Sequence, residues 1–353
     1  MKTLKPLLWL GTLSLFIAVN PASGQTPPSL GLQFSAGQPT LNLTGAVGTV
    51  YSIQYATGVS PTNVWVDRTL LQAKGGSSVW SDPSTTAPSQ RFYRAVSVPA
   101  PADTNLVFIQ PGTFRMGSPT NEVDRYLWED PETAVTISRG FWMGKYEVTQ
   151  GAYLAVIGSN PSWFNGDRTA DGQTNYGTDL SRPVEQVSWS DATNYCATLT
   201  QRERAAGRIP TNSVYRLPTE GEWEYACRAG TATRFSYGDD LGYTNLTAYA
   251  WYWGNSDGQT HPVGQKLPNP WGLYDMHGNV FEWCQDRFSN YPGGVAVDPQ
   301  GPATSDPQSG SARVIRGGGW FSYADYCRSA HRGSFLTGWD GLLGFRVVLS
   351  PGQ

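Results

Sequence analysis

Gly272-Leu273-Tyr274-Asp275-Met276-His277-Gly278-Asn279-Val280-Phe281-Glu282-Trp283-Cys284-Gln285-Asp286 sets three carboxylates, a histidine, an asparagine, two glycines and a cysteine among aromatic residues. A plain strand or core helix has no need of so many polar groups, so the stretch reads as a site as well as a wall. Asp275, Glu282 and the carbonyls between them, with Gly278 permitting a tight turn, suit a hard cation, because Ca2+ takes carboxylate and carbonyl oxygens from irregular loops. The competing reading is a buried polar turn in which Asp275 and Asn279 bond their own backbone. The spacing is not that of an EF-hand.

Composition agrees with a loop-rich globule. The 353 residues suffice for one large domain and a small one, with 15% charged residues against 40 Gly, 14 Trp and 18 Tyr. Lys2 and Lys5, the apolar run from Leu7 to Val19 and the small residues Ala22-Ser23-Gly24 read as an export signal over residues 1–24. No later stretch is long and apolar enough to span a bilayer, so no membrane span is expected after cleavage, and the chain is expected outside the cytoplasm. Removing residues 1–24 takes two lysines and no acid from 25 basic and 28 acidic residues, leaving a formal charge of −5. With no basic cluster, nucleic acid is excluded as a partner. Cys196, Cys227, Cys284 and Cys327 form an even set without CxxC spacing, which in an exported chain predicts two disulfides and leaves three pairings open.

Residues 25–98 carry short apolar or alternating runs (Leu30 to Phe34, Leu41 to Leu43, Tyr51 to Tyr55, Trp65 to Leu70, Val79 to Trp80, Phe92 to Val96) between Gly, Pro, Ser and Asn turns. They predict a small all-β sandwich, Ig-like or fibronectin-like, with no catalytic cluster. A Pro-rich linker spans residues 99–105, and a second domain is expected over residues 106–350. There, strands are predicted at Leu106 to Gln110, Thr113 to Met116, Val135 to Ile137 and Phe141 to Tyr146. Helices are predicted after Thr149, after Ser190 or Asp191, and after Thr219, with Glu220, Glu222 and Glu224 in the first turns of the third. Regular structure is expected to be sparse beyond Arg228.

Pro111-Gly112-Thr113-Phe114-Arg115-Met116-Gly117-Ser118, Tyr146-Glu147-Val148-Thr149, Pro183-Val184-Glu185-Gln186-Val187-Ser188-Trp189 and Arg216-Leu217-Pro218-Thr219-Glu220-Gly221-Glu222-Trp223-Glu224-Tyr225 precede the opening stretch. Arg316-Gly317-Gly318-Gly319-Trp320, Cys327-Arg328-Ser329-Ala330-His331-Arg332 and Gly344-Phe345-Arg346-Val347-Val348 follow it. From about Leu106 to Leu349 this series resembles the formylglycine-generating enzyme, or sulfatase-modifying factor, family in that family's own order. The resemblance implies an α+β, loop-rich, C-type-lectin-like domain behind the β-sandwich. It also implies a relation to oxidases that convert a sulfatase cysteine to formylglycine, using oxygen and copper held by two thiolates.

Laid on Arg316 to Cys327, the family motif puts Gly319 at its serine and Ser322 at its first cysteine, with sulfur only at Cys327. A hydroxyl is a poor ligand for soft Cu(I), so copper chemistry is expected to be lost. If Cys327 instead matches the family's later structural cysteine, the resemblance implies a Cys227 to Cys327 disulfide and leaves Cys196 with Cys284. The resemblance also implies Ca2+ at Asp275, Gly278, Val280 and Glu282, and a pocket beside Arg316, Trp320 and Tyr323. His261, His277 and His331, the chain's three histidines, are expected in the core or on the surface. Two functions follow as expectations: a modifying-factor-like protein without copper activity, acting on protein or peptide, or a Ca2+-stabilised binding module for peptide or glycan. Trp163, Trp253, Trp320 and Trp339 lining one groove would favour the second.

Overall fold

The computed structural model describes residues 27–35, 38–58, 60, 62, 64–84, 91–165, 178–303, 311–338 and 340–351. The expected export signal and Trp339 lie outside them. The chain divides into two compact units between Ala100 and Pro101.

The first unit contains β1 (Ser29–Ser35), β2 (Gln38–Thr44), β3 (Val50–Ala56), β4 (Val66–Gln72), β5 (Ser78–Ser81) and β6 (Phe92–Val98). They pair antiparallel into two three-stranded sheets, ordered β1-β2-β5 and β4-β3-β6. Strand alternation turns Leu41 and Leu43 of the first sheet and Tyr51, Ile53, Leu71, Tyr93 and Ala95 of the second into one core, closed by Trp80.

The second unit opens with β7 (Leu106–Ile109), β8 (Gly112–Met116), β9 (Thr133–Ile137) and β10 (Phe141–Gly144). Helices α1 (Gln150–Ile157), α2 (Trp189–Ala205), α3 (Glu220–Arg228) and the single turn α4 (Leu246–Tyr249) follow, with β11 (Ser213–Arg216) between α2 and α3. The remaining strands are β12 (Phe281–Arg287), β13 (Gly294–Val297), β14 (Arg313–Arg316), β15 (Arg332–Phe335), β16 (Leu343–Gly344) and β17 (Val348–Pro351). Three sheets result, ordered β11-β17-β10-β7, β15-β14-β12-β16 and β13-β9-β8. The last strand thus pairs between β11 and β10, close in the sheet to the first, and draws both ends of the unit together.

Side-chain caps fix the helix starts. Thr149 accepts from Ala152 N, and Thr219 and Glu222 form a capping box on α3. α2 starts earlier than expected because Asp191 is not its cap; it is the third helical residue and reaches back to Ser188, which caps.

The braces differ from those expected. All four cysteines are buried free thiols, so neither the Cys227 to Cys327 nor the Cys196 to Cys284 bridge is formed. Cys227 and Cys284 belong to the main core, and Cys327 to a separate cluster with Phe235, Leu246 and Ala250. The His277 ring lies between Cys227 and Cys327: its Nδ1 is 4.0 Å from the Cys227 sulfur and 2.9 Å from the Cys327 carbonyl. Fully buried arginines do the cross-bracing, Arg328 on Glu129, Arg332 on Glu220 and Arg346 on Glu282, each at 2.6 Å, and Arg316 on Glu224. These pairs tie β14 and β15 to α3 and Arg346 to β12, and losing one partner leaves a buried charge uncompensated.

Candidate functional site

The glycine run after β14 builds the site. Gly317 and Gly318 have φ of +98° and +72°, the left-handed region, and a Cβ on Gly318 would stand 2.9 Å from the Cys327 sulfur. The chain then closes a turn in which Ser322 N donates to Gly319 O and Gly319 N donates to Ser322 Oγ, both at 2.9 Å. Trp253 N donates to Ser322 O at 3.0 Å, tying a second loop to the turn.

Between them lies a cavity of about 350 Å3 lined by Trp253, Phe281, Phe321, Tyr323, Tyr326 and Leu342, with Ser322 and His331 as further polar groups. Trp253, Phe321 and Tyr323 are 53%, 52% and 65% exposed, although side chains of this size are ordinarily packed away. The Trp253 and Phe321 rings meet edge to face at 4.6 Å, and Tyr126 stacks behind Tyr326 at 5.8 Å. His331 is buried, and its Nδ1 has no hydrogen-bond partner. Burial, with Arg328 and Arg316 nearby, holds its imidazole well below the ordinary histidine range, so the ring is neutral at neutral pH.

Of the residues singled out in the sequence, Ser322 and Tyr323 line this cavity. Arg316 does not, because Glu224 and the Ser329 and His331 carbonyls hold its guanidinium in the core. Trp320 packs on Phe164 and Phe321 and donates to Gly341 O, outside the lining. Cys327 is fully buried, and burial pushes its thiol up, far from a thiolate. Among the described Trp163, Trp253 and Trp320 only Trp253 lines the cavity, so the lining by described residues is a mixed aromatic one. Sequence reading passed over Phe321 and Tyr326, placed Phe281 in the opening stretch without this cavity, and expected His331 only in the core or on the surface; the signal for Phe321, Tyr326 and His331 was their position flanking the glycine and cysteine motifs.

The four positions with which the sequence framed Ca2+ are separated by their partners. Both Glu282 oxygens accept from Arg346 at 2.6 Å, and Oε2 also accepts from Trp223 Nε1 at 2.8 Å, so the carboxylate's counter-charge is a guanidinium. Val280 N and Asn279 Nδ2 donate to Glu147 at 3.0 and 2.8 Å, a residue absent from the expected set. Gly278 is required by space, since a Cβ there collides with the Trp251 carbonyl. Asp275 sits at φ +59°; its Oδ2 accepts from Gly264 N at 2.7 Å, while the buried Oδ1 has no partner. Burial raises Asp275 to about 6, and burial with Asp275 and Glu282 nearby raises Glu147 well above the carboxylate range. Among the described residues, no group of three or more His, Cys, Asp or Glu side chains is placed to hold a metal ion. Within the expected set, Asp275 Oδ1 is thus the carboxylate oxygen without a partner among the described residues.

Comparison with known proteins matches residues 93–351 to the sulfatase-modifying factor enzyme 1-like domain. The chain is 31% identical over 290 residues to the chaperone protein LppX of Paenibacillus barcinonensis, covering 70% of this chain and 89% of that protein. It is 38% identical over 184 residues to the formylglycine-generating enzyme of Streptomyces coelicolor, covering 48% of this chain and about half, 52%, of the enzyme. Among solved structures, Treponema denticola variable protein 1 superimposes with a TM-score of 0.58 at 32% identity, covering 74% of this chain and 96% of that one. This chain belongs to the sulfatase-modifying factor enzyme 1-like, or formylglycine-generating enzyme, family.

Proposed function

We propose that this chain is an exported binding protein that seats an apolar side chain of a polypeptide in the aromatic cleft and does not perform copper-dependent cysteine oxidation. The observation that carries it is the cavity walled by Trp253, Phe281, Phe321, Tyr323 and Tyr326, whose outer rings stand in solvent. Aromatic walls with few polar groups favour a peptide over a glycan, because a sugar brings many hydroxyls that each need a partner once desolvated. The name of the Paenibacillus relative, a chaperone protein, also supports a polypeptide ligand. Ser322 at the family's first cysteine position and the inaccessible Cys327 thiol speak against a copper thiolate pair.

The test is selection from a random peptide library on the chain lacking residues 1–24, alongside a glycan array and Cu(I) binding under reductant. Enriched peptides whose binding falls at least tenfold in Trp253→Ala or Tyr323→Ala support the proposal. Glycans captured without peptides, or one Cu(I) per chain with cysteine-peptide oxidation, overturn it.

Calcium belongs to the proposal as a structural ion, supported by the unpartnered Asp275 oxygen and by the second buried carboxylate nearby, Glu147. Added Ca2+ is expected to raise Tm relative to EDTA in the parent and to leave Asp275→Asn unmoved. Equal Tm values in the parent remove the ion.

A further inference from the structure

The cavity's polar groups are too specific for a purely greasy hole. His331 lines the cavity at 4% exposure and its ring makes no hydrogen bond to a described residue, and Ser322, equally buried, accepts from Gly319 N but donates its own hydroxyl proton to no described residue. A native core rarely leaves such groups unpaired, since each then loses its hydration without a replacing hydrogen bond. The Phe281, Tyr126 and Tyr326 rings surround the imidazole at 6.3, 5.3 and 4.7 Å, so water has few polar partners beside it.

We propose that the cavity is a tyrosine pocket: it receives the phenol of a tyrosine in a bound peptide, whose oxygen accepts from Ser322 Oγ and whose O–H donates to His331. The proposal rests on the peptide-binding reading above and names its anchor. A phenol supplies what the pocket asks of a ligand, an apolar ring for aromatic walls together with one acceptor and one donor on the same oxygen. Other side chains answer in part. Phenylalanine leaves both polar groups unpaired, indole donates without accepting, asparagine and glutamine forgo the ring contacts, and a cysteine thiol is a weak donor and acceptor. The neutral state of His331 keeps a nitrogen lone pair available to accept at neutral pH. Discrimination against an analogue that lacks the hydroxyl is large where a site's buried polar groups would otherwise stay unpaired.

The experiment compares N-acetyl-tyrosinamide with N-acetyl-phenylalaninamide on the chain lacking residues 1–24, by ligand-observed NMR titration. The tyrosine amide is expected to bind at least tenfold more tightly, with the ratio falling towards one in His331→Phe and dropping in Ser322→Ala. His331→Phe should also keep or raise Tm, since it replaces a buried unpaired nitrogen by a ring of similar shape; if it fails to fold, Ser322→Ala carries the comparison. Equal affinities for the two amides in the parent overturn the tyrosine pocket while leaving the peptide cleft intact. Absence of binding by either amide, with library peptides still captured through Trp253 and Tyr323, also overturns it. Failure of every peptide removes both readings.

Discussion

Burial raises the carboxyl of Asp286 to about 8, with Glu220 and Glu222 adding repulsion and Arg332 and the Glu220 amide offsetting part of it. In the unfolded chain the same group titrates near about 4. A folded-state value above the unfolded one means that the stabilising term is complete below pH ~4 and is lost as pH climbs towards 8. Asp286→Asn keeps an acceptor for Glu220 N, a 2.8 Å bond, without the ionisation. Its stability relative to the parent should therefore grow between pH 5 and pH 8 in urea unfolding, and parallel curves would refute the assignment. The Glu282 to Arg346 pair makes a second prediction: Arg346→Met strands a fully buried carboxylate and should cost roughly 3–5 kcal/mol, read from the urea midpoint. A loss below about 1 kcal/mol would mean that Glu282 has another counter-charge, a cation included. Glu282 also shows what a local sequence pattern leaves open. A carboxylate beside Gly278 and Asn279 looks the same whether it faces Ca2+ or a guanidinium, and its partner stands 64 residues downstream. Ser322 and Tyr323 were legible as site residues because the family motif, laid on Arg316 to Cys327, marks that segment; His331 was not, since nothing local says that its nitrogen will lack a partner.

Elements with local causes were the legible ones. α1 and α3 begin where Thr149 and Thr219 put a hydroxyl over the first turn, and the sandwich strands fall on the alternating runs. α2 was misplaced at its start because Ser188, Ser190 and Asp191 all have capping chemistry, and only the reciprocal bond between Asp191 and Ser188 decides among them. β12 was the least legible: Val280 ends a turn-rich stretch and Phe281 begins a strand whose pairing to β14 and β16 depends on segments far along the chain. For α3 the cap can be tested alone. Thr219→Ala removes the acceptor for Glu222 N and should cost about 1 kcal/mol, whereas Thr219→Ser keeps the hydroxyl and should lose much less. Equal Tm losses in the two variants would place the role of Thr219 in packing of its methyl group.

At the scale of the molecule, the two units differ in how they hold themselves together, and the difference is measurable. The first has a sheet-to-sheet apolar core and no cysteine; the second gathers short strands round buried ion pairs and contains all four thiols. Burial raises the Cys196 and Cys227 thiols to about 12, and Cys284 and Cys327 upward as well, so none offers a thiolate while the fold is intact. An aromatic thiol reagent should accordingly leave the native chain unlabelled and titrate four thiols after denaturation without reductant. Because every reporter lies beyond Ala100, labelling during a urea titration follows the second unit alone, whereas far-UV circular dichroism follows both. Each unit has its own core, so the expected result is a dichroism change in two steps, one coincident with labelling and one without it, and removal of residues 25–98 should abolish only the step without labelling. Two thiols missing from the denatured count would mean that a bridge forms in the isolated protein. A single transition shared by both probes would mean that the second unit depends on the first for its stability, and that ligand binding must then be measured on the whole chain.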